Sequence, residues 1–160
     1  NIYKQMLGAP DVMSVLIGGI AGVLWIATDP GAGSHTALEQ SLSEFSPAAV
    51  ALWLAFRGVG TIIMVPIAEE LAFRGYLYRV LQAAKFETVD FRAFGLVALI
   101  VSSSLFGLMH DRWLAAALAG ALYALLMVRS GRISDAIAAH MTTNAIIFAW
   151  AVVAGQWSLL

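Results

Sequence analysis

The chain has 160 residues, of which 61% are hydrophobic and 12% charged, with a mean hydropathy of +0.83. Soluble domains carry about 25% charged residues, so there are too few polar side chains here to cover a water-facing surface, and the composition is that of a membrane protein. A net charge of −1 lacks the basic excess that nucleic-acid binding needs, and the absence of cysteine excludes disulfides, thiolate metal sites and cysteine nucleophiles.

Residues 12–28 are uncharged and just reach the length of a membrane span, with Gly18 and Gly22 spaced for close helix contact. Residues 29–47 contain Pro, Gly, Ser, His and acids but no Lys or Arg, and read as a polar loop. Pro47 can open the next helix. A second span over residues 48–67 contains Arg57, whose depth calls for an acidic or carbonyl partner. The helical pattern then extends to about Ala84, with a kink expected at Pro66. After a charged segment, residues 93–128 are apolar except for His110, Asp111 and Arg112, a polar break suited to a turn between two helices. A further polar turn covers residues 129–135, and residues 136–154 make the last span.

The expected fold is therefore all-α, a polytopic transmembrane bundle of about five spans plus a helix extension. One domain over residues 1–160 accounts for the chain, since no repeat, linker or low-complexity run marks a second. It begins at Asn1 without a signal-peptide pattern, which fits a domain cut from a longer protein. Lys4, Arg79, Lys85, Arg92, Arg129 and Arg132 cluster at alternate ends of the spans, and these ends are expected to be cytoplasmic.

Charged side chains inside apolar helices cost about 2.5–3.5 kcal/mol on insertion scales, so they are retained with a partner or a water-filled cavity. Glu70 and Arg74 are four residues apart and share a helix face, so they can pair, while Glu69 points about 100° away. Arg74 would then hold Glu70 and leave Glu69 to turn toward a cavity and handle a proton. The bland alternative is a solvated patch where the helix leaves the membrane. Phe106 and His110 share one helix face, as do His140 and Asn144. A lone buried histidine is more often a packing residue, but two with an acidic pair and an Asn in apolar surroundings make coincidence harder to sustain. Such a set can activate water and donate hydrogen bonds to an oxyanion, or hold a divalent metal such as zinc; spacing does not decide between them. The His-Glu-x-x-His and Gly-x-Ser-x-Gly patterns are both absent, and Ser102, Ser103 and Ser104 are expected at helix contacts or on backbone hydrogen bonds.

EELAFR at 69–74, FGLMH at 106–110 and HMTTN at 140–144 occur in the order and separation of three motifs of the CPBP family. The chain resembles these intramembrane peptidases, which include type II CAAX prenyl endopeptidases, bacteriocin-processing enzymes and abortive-infection proteins. The resemblance covers roughly residues 48–154. It implies a site within the membrane that cleaves a peptide bond near the C-terminus of a membrane-anchored peptide or protein. It also implies that Glu69 and His110 activate water, that His140 and Asn144 stabilise the oxyanion, and that Glu70 and Arg74 organise the site. Direct glutamate catalysis without a cofactor is favoured; under a metal mechanism the ligands would be Glu69, His110 and His140. A prokaryotic inner membrane is the expected location, with the lipid bilayer and the substrate as partners, no nucleic acid, and the oligomeric state open.

Simple alternation of spans puts Glu69 near the cytoplasmic end of its helix and His110 near the opposite end of the next. A short, deeply set helix with a buried turn at Asp111 and Arg112, or a displaced long helix, would bring them together. A CAAX tail, a leader peptide and a sorting signal of the exosortase-associated type all need the same hydrolytic centre. The competing functions are a non-catalytic immunity or scaffold protein, and a proton-coupled transporter, which the number of spans and the lack of an inverted repeat disfavour.

Overall fold

The computed structural model describes residues 8–31 and 37–160, which form helices and no strands; Lys4 lies outside them. Helix α1 is Val12–Ala27, α2 is Ala37–Ser43, α3 is Pro47–Val80, α4 is Leu96–Leu108, α5 is Trp113–Ser130 and α6 is Ile133–Ala154. Of these, α3, α5 and α6 are long and apolar enough to cross a membrane, whereas α1 and α4 are shorter apolar helices. The described residues are thus all-helical and include five apolar helices of a membrane protein, as the hydropathy pattern predicts. Part of the segment read as a polar loop is helix α2, whose alanine and leucines favour helix over the turn signals around them.

Helix α3 begins as its sequence dictates, with Ser46 as N-cap accepting from the Ala49 amide and Pro47 at the first helical position. Its 34 residues extend about 50 Å at 1.5 Å per residue, well beyond a hydrocarbon core of about 30 Å. The helix is continuous through Pro66 because the turn before it, Gly60–Met64, widens to π geometry. A second widened stretch, Leu71–Leu77, follows the acidic pair. The helix stops at Val80, short of the expected Ala84. There the Arg79 guanidinium donates to the carbonyls of Gly75, Glu87 and Val89 and stacks over Phe91, turning the chain back on itself.

The polar break expected around residue 111 is a tight turn between α4 and α5, tied to the end of α1. Arg112 donates to the carbonyls of Trp25 and Thr28 at 2.7 and 2.8 Å, satisfying acceptors that the end of α1 leaves open. Asp111 is exposed, so the turn is only partly buried. The other polar turn, at Gly131 and Arg132, lets α6 start earlier than expected, at Ile133. Buried Asp135 joins α6 to α1 by accepting from the Asp11 amide and the Ser14 hydroxyl on one oxygen and from Arg132 on the other.

Helices α1 and α6 pack backbone to backbone. A Cβ at Gly18 would lie 2.2 Å from the Ala139 carbonyl oxygen, and one at Gly22 would lie 3.2 Å from Ile146 and the Thr143 carbonyl. The Thr143 hydroxyl donates to the Gly18 carbonyl at 2.9 Å across this seam. Ser102 and Ser103 occupy a similar buried contact on α4, but their hydroxyls make no hydrogen bond among the described residues, contrary to the backbone bonding expected as one alternative. Elsewhere the surface is apolar and lipid-compatible, including Leu52, Phe56, Val59 and Ile63 on α3.

Gly18→Ala should lower the thermal unfolding midpoint in detergent, by the equivalent of about 1–3 kcal/mol of overpacking. Gly19→Ala, whose new methyl meets nothing closer than 3.8 Å, is the control and should be nearly neutral. Equal midpoints for the two variants would contradict the packing described.

Candidate active site

The acidic pair divides as its helix geometry requires. Glu70 is completely buried, and its Oε1 accepts from Arg74 at 2.9 Å, one turn along α3. The same oxygen receives His140 Nδ1 from α6, also at 2.9 Å. Glu69, about 100° around the helix, instead faces a cavity with its side chain 20% exposed. Its Oε2 lies 3.8 Å from His140 Nε2 and accepts no hydrogen bond among the described residues. These groups are a partner network inside the bundle, not a solvated patch at the end of a helix.

Arg74 is as deeply buried as Glu70. Its Nε and second terminal nitrogen have no hydrogen-bond acceptor among the described residues. Aromatic faces take that place: the guanidinium carbon sits 4.4 Å from the Phe106 ring centre, with Tyr123 at 5.7 Å. Gly120 of α5 makes this arrangement possible, because a Cβ there would lie 2.6 Å from the Arg74 guanidinium and 2.9 Å from the Phe106 ring.

Both histidine rings are fixed. His140 stacks on Tyr123, with ring centres 5.0 Å apart and planes 20° from parallel, and meets Phe106 edge-on. Tyr123 in turn donates to the Thr143 hydroxyl at 2.8 Å. His110 lies at the end of α4, where its Nδ1 is 2.8 Å from the Phe106 carbonyl oxygen. A carbonyl only accepts, so this contact puts a proton on Nδ1 and leaves Nε2 free to accept in the neutral ring.

Asn144 Nδ2 donates to the Thr61 carbonyl of α3 at 2.9 Å. The local backbone explains why that carbonyl is available. In the widened turn the Val65 amide bonds to Gly60, so the matching donor for Thr61 would be residue 66, which is proline and has no N–H. One amide hydrogen of Asn144 thus satisfies an acceptor freed by Pro66, and the second remains available.

Glu69, His110, His140 and Asn144 line one cavity of about 150 Å³. The depth mismatch that span counting predicts between Glu69 and His110 does not arise. Helix α4 is only 13 residues long, about 20 Å, whereas α3 runs for 34 residues, and the two side chains reach one cavity. Sequence reading missed Trp25, Thr61, Tyr123 and Thr143, which also line the cavity. Tyr123 was detectable as a phenol in an otherwise apolar helix, and Thr61 as the residue five before a mid-helix proline.

Among the described residues no group of three or more His, Asp or Glu side chains is arranged to hold a metal ion. Glu69, His110 and His140 share a cavity, with His140 Nδ1 on Glu70 and its Nε2 3.8 Å from Glu69.

A family model described as type II CAAX prenyl endopeptidase, Rce1-like, matches residues 51–146, more than half of the 160-residue chain and the segment that contains all six candidate residues. Searches of curated proteins and of solved structures found no match. On the strength of the family match, the chain belongs to the Rce1-like family of type II CAAX prenyl endopeptidases, a family of membrane proteases.

Proposed function

We propose that the chain is an intramembrane endopeptidase that hydrolyses a peptide bond near the C-terminus of a membrane-anchored substrate, using water activated by Glu69 and His110. The observation that carries this reading is the convergence of Glu69, His110, His140 and Asn144 on one cavity. A water held between the Glu69 carboxylate and His110 Nε2 gives up a proton to Glu69 as its oxygen attacks the carbonyl carbon. The resulting oxyanion accepts from the second Asn144 N–H and from His140 Nε2–H. When the C–N bond breaks, the proton held by Glu69 passes to the leaving amine, yielding a new carboxylate and a new amino terminus.

For His140 to donate from Nε2 while Nδ1 donates to Glu70, the ring must carry both protons. Its charge is then balanced within the cluster: Arg74 and His140 are positive, and Glu69 and Glu70 are negative. A neutral array of this kind avoids an uncompensated charge in the bundle interior. Glu70 and Arg74 act in this reading as positioning residues: Glu70 accepts from His140 Nδ1–H and fixes the orientation of the ring, and Arg74 holds Glu70. No step requires a metal.

Glu69→Gln and His110→Ala should each lower peptide cleavage in proteoliposomes by about 10²–10⁴-fold while leaving the unfolding midpoint close to wild type. Comparative peptidomics of membranes carrying wild type or Glu69→Gln, with and without chelator, reads the substrate and the metal question together. Full cleavage by both variants contradicts the reading, and loss of wild-type activity on chelation contradicts its metal-free form.

Glu70→Gln should behave differently, because it strands a buried guanidinium. It is expected to cost about 3–5 kcal/mol of stability, seen as a lower melting temperature in detergent. Glu70→Gln combined with Arg74→Met should recover most of that loss without recovering activity.

A further inference from the structure

The side chains that serve as oxyanion donors in the proposed reaction lie one turn apart on α6, and each is held by an acceptor on α3. Glu70 holds His140 Nδ1 at 2.9 Å, and the Thr61 carbonyl accepts from Asn144 Nδ2 at 2.9 Å. The first acceptor is a side chain, which any helix can present. The second is a main-chain carbonyl inside a helix, and such a carbonyl is ordinarily closed by an amide of its own helix.

Two amides could close Thr61. In α geometry the partner is the amide of residue 65, and in π geometry that of residue 66. Val65 bonds to Gly60 instead, and residue 66 is proline, which has no N–H. The same ring would collide with the Ile62 carbonyl in α geometry, and the widened turn relieves that collision. Pro66 therefore both widens the turn and withholds the amide. It is buried and reaches the cavity through Thr61 and Asn144.

The Thr61 carbonyl is a directional partner. It accepts and cannot donate, so it selects the NH2 end of the Asn144 carboxamide. Among the described residues the Asn144 side chain makes no other hydrogen bond, so no second contact distinguishes its two ends. A reversed carboxamide would put Oδ1 in the place of Nδ2, where it repels the oxyanion that the reaction forms.

We infer that Pro66 is a positioning residue for the oxyanion step: by leaving the Thr61 carbonyl without a partner in its own helix, it fixes which end of the Asn144 carboxamide faces the reacting carbonyl. Any other residue at position 66 brings an N–H that closes Thr61 in the π register. Return of the turn to the α register closes it through Val65. Either way Asn144 loses the partner that directs it. The kinetic consequence rests on the endopeptidase reading, whereas the orientation of Asn144 is measurable without it.

Asn1 and Asn144 are the asparagines of the sequence. Labelling the full chain in detergent with 15N-asparagine gives a side-chain amide pair for Asn144, assigned by its loss in Asn144→Ala. In wild type one proton of that pair should be shifted downfield and exchange more slowly with water than the other. Pro66→Ala should abolish both differences while the unfolding midpoint stays at or above wild type, because proline is the poorest residue for a helix interior. Cleavage is read on a quenched-fluorescent peptide spanning a site mapped in wild-type membranes. Pro66→Ala should lower kcat by about 10–100-fold, with KM within about threefold of wild type, and should add nothing to the loss caused by Asn144→Ala. An Asn144 amide pair unmoved by Pro66→Ala, a lower unfolding midpoint, an unchanged kcat, or a loss that multiplies with that of Asn144→Ala overturns the inference. An Asn144 pair that responds to Pro66→Ala in a protein whose wild type cleaves no peptide keeps the orientation of Asn144 by Pro66 and overturns the endopeptidase reading.

Discussion

One oxygen of Glu70 receives both the Arg74 guanidinium from its own helix and the His140 imidazole from α6. This pair of contacts holds the long helix to the last one in the interior of an apolar bundle, where an unmatched charge is costly. Its consequence is a division of labour between adjacent carboxylates. Glu70 is consumed by structure, and Glu69, rotated about 100° by the helix, is left with an oxygen that has no hydrogen-bond partner among the described residues and a side chain lining a cavity.

The remaining contacts around the cavity supply room and fix direction. Gly120 leaves space for Arg74 and Phe106 to stack, and the Phe106 face takes the place of acceptors that the guanidinium lacks. The Tyr123 ring fixes the plane of His140, and its hydroxyl continues through Thr143 to the α1 backbone at Gly18. The close α1–α6 seam at Gly18 and Gly22 thus reaches the site through a chain of hydrogen bonds. On the opposite side, Arg112 ties the α4–α5 turn to the end of α1 and so fixes the height of His110.

Much of this was legible in the sequence because the lipid environment makes polar residues conspicuous. The Glu70–Arg74 pair followed from their spacing on a helix, and the five apolar helices from hydropathy. What was not legible depended on contacts between distant segments. Span counting placed Glu69 and His110 at different depths because it assumes helices of equal length, whereas α3 has 34 residues and α4 has 13. Helix α2 was masked by surrounding turn residues. The link from Asn144 to Thr61 depends on a widened turn before Pro66, and a proline in a sequence announces a kink more readily than an orphaned carbonyl five residues earlier.

The central claim is that Glu69 and His110, from different helices, act on one water. A double-mutant cycle on cleavage kinetics tests this most directly, comparing Glu69→Gln, His110→Ala and the double variant at matched protein folding. Residues that serve a single step lose their effects together, so the account predicts that the double variant is no slower than the slower single one, within about threefold. Losses that multiply across the two positions would contradict it.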